Sequence, residues 1–339
     1  MSGIDLTTRY LGLALDHPLV PSASPLSRSL DSARRLEDAG AAALVMHSLF
    51  EEAVHHEQAM QARFLHHQAI GHAEADSFLP LPTRYLNEVD DYLETLQGLK
   101  RHLAIPIIAS LNGMTPDGWV SHGRELAEAG ADALELNVYY VPANLEESGT
   151  EVEARYLQLL RDLKASVDLP VTMKLSAQFS APGHFIRQLE AAGADGVSLF
   201  NRFYQPDIDI ETREVVPRLE LSSSVESLLR IRWLAILHDR VGLSLAATGG
   251  FHGVEDVVKA LMAGADVVHL CSALLRHGPD YLREVLAGLR HWLELHEYAS
   301  VAQIKGCACQ QRAIDPAAFE RANYLDVLDS YTPAPGVRR

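Results

Sequence analysis

A three-residue phrase, Ala-Gly-Ala, recurs four times in this chain, each time between a helix-like stretch and a short apolar run. The copies lie at residues 39–41, 129–131, 192–194 and 263–265. Glycine supplies the left-handed residue that ends a helix, and a short apolar run is typical of a buried parallel strand. Each copy therefore predicts a corner where a helix gives way to a strand. A unit that repeats constrains the fold more strongly than a single motif does.

The apolar runs are numerous enough to predict a closed barrel. Four runs follow the corners, and four more lie between them, so that eight strands alternate with helical segments. We therefore predict an α/β fold, a (β/α)8 TIM barrel, with residues 1–339 as a single domain. An open doubly wound sheet is the alternative, and it fits less well because the chain has no glycine-rich first turn. The predicted strands are 18–23, 42–46, 105–110, 132–137, 169–175, 195–200, 241–247 and 266–270.

Two stretches fall outside the eight units. Residues 51–84 form an insertion after strand 2, which we expect to cover the active-site face as a lid. Residues 299–339 form a C-terminal extension with a helical stretch at 316–331. Five histidines in the insertion suggest either a metal site or a solvated cover, and we favour the cover because adjacent pairs do not share a helix face. These histidines are His55, His56, His66, His67 and His72.

Composition excludes several classes of function. The net charge of −16 argues against a nucleic-acid-binding surface, which needs clustered Lys and Arg. The three cysteines, Cys271, Cys307 and Cys309, do not make a disulfide framework, so we expect a reducing, cytoplasmic location. The start of the chain does not resemble a signal peptide, and no apolar run is long enough to cross a bilayer.

Polar side chains follow the predicted strands, where a barrel carries its functional groups. This ring is rich in amides and hydroxyls and almost free of carboxylates, so it suits a planar heteroaromatic ligand better than a metal. The ring comprises Ser24, His47, Ser48, Asn112, Asn137, Tyr139, Tyr140, Lys174, Asn201, Thr248, Gly249, Gly250, Cys271 and Ser272.

The ends of strands 7 and 8 carry a candidate anion site. Many barrels bind a phosphate with these two loops. Gly249 and Gly250 have no side chains, so backbone N–H groups can approach an anion closely, and Ser272 adds a hydroxyl. A tight strand-to-helix turn is the alternative explanation for the glycine pair. Because Cys271 and Ser272 end the next strand, we favour phosphate binding.

Lys174 is the single lysine at the end of an apolar run, where a lysine is rarely buried without a partner. Its ammonium could stabilise negative charge on a ligand ring, or its amine could form a Schiff base as in aldolase-type barrels. The alternative is a rim lysine whose stem packs on the surface. We favour a functional lysine.

Six segments in collinear order carry a resemblance to a known family. They resemble the FMN-dependent dihydroorotate dehydrogenases of the soluble class 1 branch, over residues 7–310. Four stretches, at residues 21–27, 109–113, 200–207 and 321–324, resemble more closely a bacterial subgroup described as dihydroorotate dehydrogenase-like. The resemblance implies a TIM barrel, an FMN cofactor, hydride transfer from a substrate C–C bond to flavin N5, and a place in pyrimidine biosynthesis. It also suggests a homodimer. The segments are 22–24, 135–137, 173–175, 200–201, 247–250 and 271–274.

The resemblance also implies roles for single residues. Asn112, Asn137 and Asn201 would contact the substrate, and Lys174 would stabilise the reduced flavin anion. The FMN contacts that it implies are Ser24, Ser48, Asn137, Lys174, Phe200, Thr248, Gly249, Gly250, Cys271 and Ser272.

This chain departs from the family at the position of the catalytic base. The family's Cys or Ser, three residues after the strand 4 Asn, falls on Tyr140, and a phenol is a poor base near neutral pH. The family's Lys before Ser48 is His47, and Pro142 stands where the family has an Asn. We predict that Tyr140 or His47 transfers the proton, with aromatic cover and flavin packing as their alternatives. The substrate is then dihydroorotate or a related compound.

Two other functions stay open at this point. The chain could be the flavin-carrying subunit of a redox complex with an electron-transfer partner subunit. It cannot itself hold an iron–sulfur cluster, because three cysteines do not supply four thiolates. The second is a Schiff-base aldolase on Lys174, with the phosphate site serving a sugar phosphate.

Overall fold

In this computed structural model, the structure describes residues 3–51, 88–113 and 116–320, together with Tyr324 and Val327. The lid expected at 51–84, apart from Glu51, lies outside the described residues, as does most of the stretch expected to be helical at 316–331. The described part of that stretch begins with a short 3-10 helix, Pro316–Phe319.

Eight parallel strands form one sheet within the described residues, which confirms the predicted (β/α)8 barrel. An antiparallel hairpin, β1 (Thr8–Tyr10) and β2 (Leu13–Leu15), precedes it. The barrel strands are β3 (Leu19–Pro21), β4 (Leu44–Phe50), β5 (Ile107–Asn112), β6 (Ala133–Asn137), β7 (Val171–Leu175), β8 (Gly196–Leu199), β11 (Ser244–Thr248) and β12 (Val267–Leu270). A second antiparallel hairpin, β9 (Asp207–Asp209) and β10 (Glu214–Val216), lies between β8 and β11.

The strand order excludes the doubly wound alternative. From β4 to β12, each strand pairs with the next barrel strand along the chain, and β12 pairs with β3, whereas a doubly wound sheet reverses its order in the middle. Between β3 and β4, the Ala42 N–H donates to the Leu19 carbonyl at 3.2 Å, so the ring is nearly closed. The helices are α1 (Leu30–Asp38), α2 (Glu88–His102), α3 (Pro116–Glu128), α4 (Gly149–Ser166), α5 (Pro182–Ala191), α6 (Ser227–Leu237), α7 (Val254–Ala263), α8 (Ser272–His277), α9 (Tyr281–Leu295) and α10 (Val301–Ile304).

The four Ala-Gly-Ala phrases form the predicted corners. Their glycines have φ angles of 95°, 97°, 101° and 114°, in the left-handed region. At the first corner, the Gly40 N–H donates to the Glu37 carbonyl at 2.8 Å and the Ala41 N–H donates to the Leu36 carbonyl at 3.0 Å. This pair of bonds is the Schellman motif, and equivalent bonds close the other three corners.

An aspartate follows three of the corners and fixes the register of the sheet. Its carboxylate accepts a backbone N–H from the strand that precedes it, at 2.7–2.8 Å in each case. Each such aspartate also pairs with a lysine from outside the sheet. Because a one-residue slip would break these bonds, they keep every inward-facing side chain inward. The three are Asp132, Asp195 and Asp266.

The barrel interior is layered. The hairpin β1–β2 closes its amino-terminal end, where Tyr10, Leu11 and Leu15 pack against inward-facing side chains such as Ile108 and Ala133. Inward-facing polar side chains lie above this apolar layer, and the site lies above them. The carboxyl-terminal end of the barrel is therefore the polar end. Among the described residues, no helix combines the length and apolar character needed to span a membrane.

Candidate functional site

A cavity of about 550 Å³ opens at the carboxyl-terminal end of the barrel. Its volume lies within the range of small-molecule sites, about 300–1,000 Å³. The described residues that line it include no Asp or Glu, whereas Arg28, Lys174 and Arg202 contribute positive charge. Predicted site residues that line the cavity are Ser24, His47, Ser48, Asn112, Asn137, Lys174, Phe200, Asn201, Thr248, Gly249, Gly250, Cys271 and Ser272.

The amide groups of the cavity are held in fixed positions. Asn201 Nδ2 donates to Asn137 Oδ1 at 2.6 Å, joining the ends of two strands. Asn112 and Asn137 are buried, and they lie opposite one another in the parallel register of β5 and β6. The hydroxyl of Ser48 lies 2.9 Å from that of Ser110. The cavity wall thus presents rigid hydrogen-bonding groups of the kind that read the edge of a planar ring.

A buried charge pair lies below the cavity. Lys174 Nζ is 3.3 Å from Glu135 Oε1, and the two residues are 6% and 0% exposed. Glu135 therefore holds the Lys174 nitrogen in an ion pair at the floor of the cavity. A Schiff base would need this nitrogen to attack a substrate carbonyl, so the geometry argues against the aldolase hypothesis.

His269 completes this buried layer and lines the cavity. Its Nδ1 lies 3.4 Å from Ser198 Oγ and 3.9 Å from Glu135 Oε2, and its Nε2 has no hydrogen-bond partner among the described residues. Burial lowers the pKa of His269 to about 4, with Lys174 acting in the same direction and Glu135 against it. The imidazole is therefore neutral near pH 7.

His47 lines the cavity from the end of β4. Its backbone N–H donates to Ser27 Oγ at 2.6 Å, its Nδ1 lies 3.3 Å from the same oxygen, and its ring packs against Tyr92 at 4.9 Å. Burial, together with the charge of Arg28, lowers the pKa of His47 to about 4, and Asp91 acts in the opposite direction. His47 is therefore a neutral, oriented imidazole near pH 7.

The structure does not bring Tyr140 to the cavity. Its hydroxyl donates to the carboxylate of Glu147, and the Arg155 guanidinium lies 4.8 Å from its ring centroid. Arg155 also pairs with Glu147, so the phenol belongs to a polar cluster beside the cavity. Its neighbour Tyr139 lines the cavity instead and exchanges hydrogen bonds with the backbone of Tyr204.

The glycine pair after β11 packs closely against α6. Gly249 and Gly250 have φ angles of 84° and 92°, and a Cβ on Gly250 would lie 2.4 Å from the Ser227 nitrogen. Behind the loop, the buried Arg230 donates from Nε to the Thr248 carbonyl at 3.2 Å. Ser272 lies across from the loop and accepts the Ser222 N–H at 3.2 Å. Packing therefore disfavours a side chain at either glycine, and both glycines line the cavity.

Sequence reasoning missed Glu135, His269 and Arg230. Glu135 and His269 are polar residues within the otherwise apolar strands β6 and β12, at positions that face inward. The polar residue in each apolar run was therefore a signal in the sequence. Arg230 lies on a mainly apolar helix that carries one other arginine, the exposed Arg232, and the sequence had no signal for which of the two is buried.

The cysteines and acidic residues give little support to metal chemistry. Within the described ranges, no group of three His, Cys, Asp or Glu side chains is arranged to hold a metal ion. Burial raises the pKa of the Cys271 thiol, and Lys174 opposes that effect. Cys307 is exposed and Cys309 is buried, both as free thiols in the extension.

Comparison with known proteins identifies the relatives of this chain. A family model described as dihydroorotate dehydrogenase matches residues 81–293. The catalytic subunit of dihydroorotate dehydrogenase B (NAD(+)) from Thermoplasma acidophilum is 25% identical over 311 residues, which cover 90% of this chain and 99% of that protein. The corresponding subunit from Shouchella clausii is 27% identical over 209 residues, 60% of this chain and 68% of that protein. Dihydroorotate dehydrogenase A (fumarate) from Lactobacillus delbrueckii subsp. bulgaricus is 30% identical over 182 residues, 51% of this chain and 58% of that protein.

Proposed function

The chain belongs to the dihydroorotate dehydrogenase family, and we propose that it is an FMN-dependent oxidoreductase that acts on a carbon–carbon bond of dihydroorotate or a closely related compound. The observation that carries this proposal is the convergence of rigid amides, one buried ammonium and a glycine pair on a single cavity of about 550 Å³. The more general statement, that the chain is a dihydroorotate dehydrogenase-like oxidoreductase, follows from the family and its relatives.

The residues of the cavity fit FMN. Asn137, Ser48 and Lys174 would face the amide-edged ring, and the backbone of Gly249 and Gly250, which lines the cavity, would face the phosphate. The unpartnered Nε2 of the buried His269 adds a polar atom at the cavity floor. When bound, FMN supplies a ring that accepts a hydride at N5.

Lys174 supplies a fixed positive charge to the cavity. Because Glu135 pairs with it from below at 3.3 Å, the ammonium is held in position by a group of the barrel itself. A cation preorganised in a water-poor site stabilises negative charge that develops on a bound ring. Glu135 is thus a positioning residue that acts through Lys174.

His47 is our candidate for proton transfer. It is neutral near pH 7 and can therefore accept a proton, and its contact with Ser27 fixes the orientation of the ring. We do not assign this role to Tyr140, because its hydroxyl donates to Glu147 and its ring packs against Arg155 outside the cavity. Asn137 and Asn201, joined at 2.6 Å, would hold the substrate amides against the flavin.

Anaerobic mixing with dihydroorotate tests this proposal. The flavin absorbance should bleach in the wild-type protein, and fumarate and NAD(+) should be tried separately as acceptors, since relatives are named for both. His47→Gln should slow bleaching by about 100-fold, within the range typical of general bases, whereas Tyr140→Phe should bleach at the wild-type rate. Equal rates in all three proteins would exclude His47 as the base.

We also propose that two copies of the chain associate through the β9–β10 hairpin. Ile208 and Val215 are 65% and 71% exposed on this two-stranded sheet, and Ile210, in the turn that joins the strands, is 83% exposed. An isolated two-stranded sheet is marginally stable, so burial against a partner would stabilise it. The salt bridge between Asp207 and Arg218, at 2.7 Å, places both charge signs beside the apolar side chains, as a self-complementary interface needs.

A further inference from the structure

Arg230 is a buried cation that has not formed an ion pair with a carboxylate in the described part of the chain. It lies on α6 and is 7% exposed. Glu226 is the acidic residue whose charge acts on it, but the Glu226 carboxylate pairs with Arg202 at 3.0 Å. Arg202 therefore takes up much of the negative charge that could otherwise balance Arg230.

The guanidinium of Arg230 holds three backbone carbonyls that surround the glycine loop. Nε donates to the Thr248 carbonyl at 3.2 Å, Nη1 to Glu226 at 2.8 Å and Nη2 to Phe200 at 3.5 Å. A Cβ on Gly249 would lie 3.0 Å from Nη2. The positive charge therefore lies directly behind the loop, on the side opposite the cavity.

A buried charge that is offset mainly by carbonyl dipoles remains costly. A guanidinium does not lose its proton in a protein, so this cost cannot be relieved by deprotonation. An anion on the cavity side of Gly249 and Gly250 would relieve it, because the attraction between opposite charges is strong where water is excluded. No Asp or Glu among the described lining residues competes with such an anion.

We propose that Arg230 is the charge-balancing and positioning residue of an anion site at Gly249, Gly250 and Ser272, and that it makes the cavity select a phosphate monoester over the same ligand without phosphate. The inference deepens the proposed function, because the phosphate would be that of FMN. Arg230 acts without touching the ligand: it holds the loop backbone and supplies the charge behind it.

The test compares FMN with riboflavin, which differs from it by the phosphate. Dissociation constants for both are measured by fluorescence quenching on full-length protein freed of bound small molecules. The variants are Arg230→Gln and Arg230→Met, which remove the charge, and Arg230→Lys, which keeps it. Arg232→Gln is the matched control, since Arg232 lies on the same helix and is exposed. A second measurement follows the melting temperature in inorganic phosphate, without flavin.

We expect the wild-type protein and the Arg232→Gln control to bind FMN at least 100-fold more tightly than riboflavin. In the neutral variants this preference should fall at least tenfold, whereas Arg230→Lys should keep most of it. Inorganic phosphate should raise the melting temperature of the wild-type protein and leave that of the neutral variants unchanged. A merely structural arginine would weaken both flavins equally, and that result would overturn the inference.

Two further outcomes separate this inference from the proposed function. If neither flavin binds the wild-type protein but phosphate stabilises it through Arg230, the FMN proposal fails and the anion site stands. If the neutral variants do not fold, the test rests on the wild-type protein. A ratio of the riboflavin to the FMN dissociation constant below ten would then overturn the role of Arg230.

Discussion

The neutral state of His269 makes a measurable prediction about acid stability. The side chain is 1% exposed, and its burial lowers the pKa to about 4, against 6.5 for an unperturbed histidine. Between these two values the unfolded chain binds a proton that the folded protein does not. The stability that this difference provides is complete above pH 6.5 and is lost as the pH falls towards 4.

The magnitude follows from the two pKa values. At 1.36 kcal/mol for each pKa unit, the interval corresponds to about 3 kcal/mol for this one residue. The wild-type free energy of unfolding should therefore fall between pH 6.5 and 4 by about 3 kcal/mol more than that of His269→Gln. Gln is polar, is smaller than His and does not titrate. The comparison uses the change in the free energy of unfolding with pH, so it does not depend on how stable the variant is at pH 7.

Urea unfolding at a series of pH values, followed by circular dichroism, measures this difference. His291→Gln is the control, since His291 is exposed and its loss should leave the pH dependence unchanged. His47 contributes to the acid loss in all three proteins and does not affect the comparison. Parallel pH profiles for the wild-type protein and His269→Gln would refute the claim that this imidazole is buried in its neutral form.

Further predictions concern the corners and the hairpin. Gly193→Ala should cost about 1–2 kcal/mol in the free energy of unfolding, since its φ is 101° but a Cβ there would have room. Gly264→Ala should cost clearly more, because its Cβ would also lie 2.3 Å from His238; equal costs in urea unfolding would contradict this reasoning. Ile208→Asp should convert the proposed dimer to a monomer, as measured by light scattering, with Ile314→Asp, an exposed site outside the hairpin, as the control. A dimer that survives Ile208→Asp would exclude the hairpin as its interface.

The barrel was predictable because its signals are local. The Ala-Gly-Ala phrase specifies a left-handed helix end and an immediate strand start, and both consequences depend on adjacent residues. Every predicted barrel strand overlaps an observed one, with differences of a few residues at the ends. The hairpins β1–β2 and β9–β10 were not predicted, because their strands are only three residues long and carry little periodicity.

The site was predictable only in part, for a related reason. Side chains at the carboxyl ends of the strands reach the cavity because all parallel strands end at one face, and Asn137 and Lys174 illustrate this. What lies behind that face depends on long-range packing. Tyr140 adjoins a cavity residue yet turns to Glu147, and Arg230 reaches the glycine loop from a helix. Neither orientation is encoded in local spacing.

The central claim is that this cavity holds FMN, and the most direct measurement is the absorption spectrum of the purified, untagged protein with the released cofactor identified by mass. We expect the bands of a bound flavin and the mass of FMN, in about one equivalent for each chain, as one FMN in this cavity implies. A colourless protein that also fails to take up added FMN would contradict the account, and the anion site would then have to serve another phosphorylated ligand.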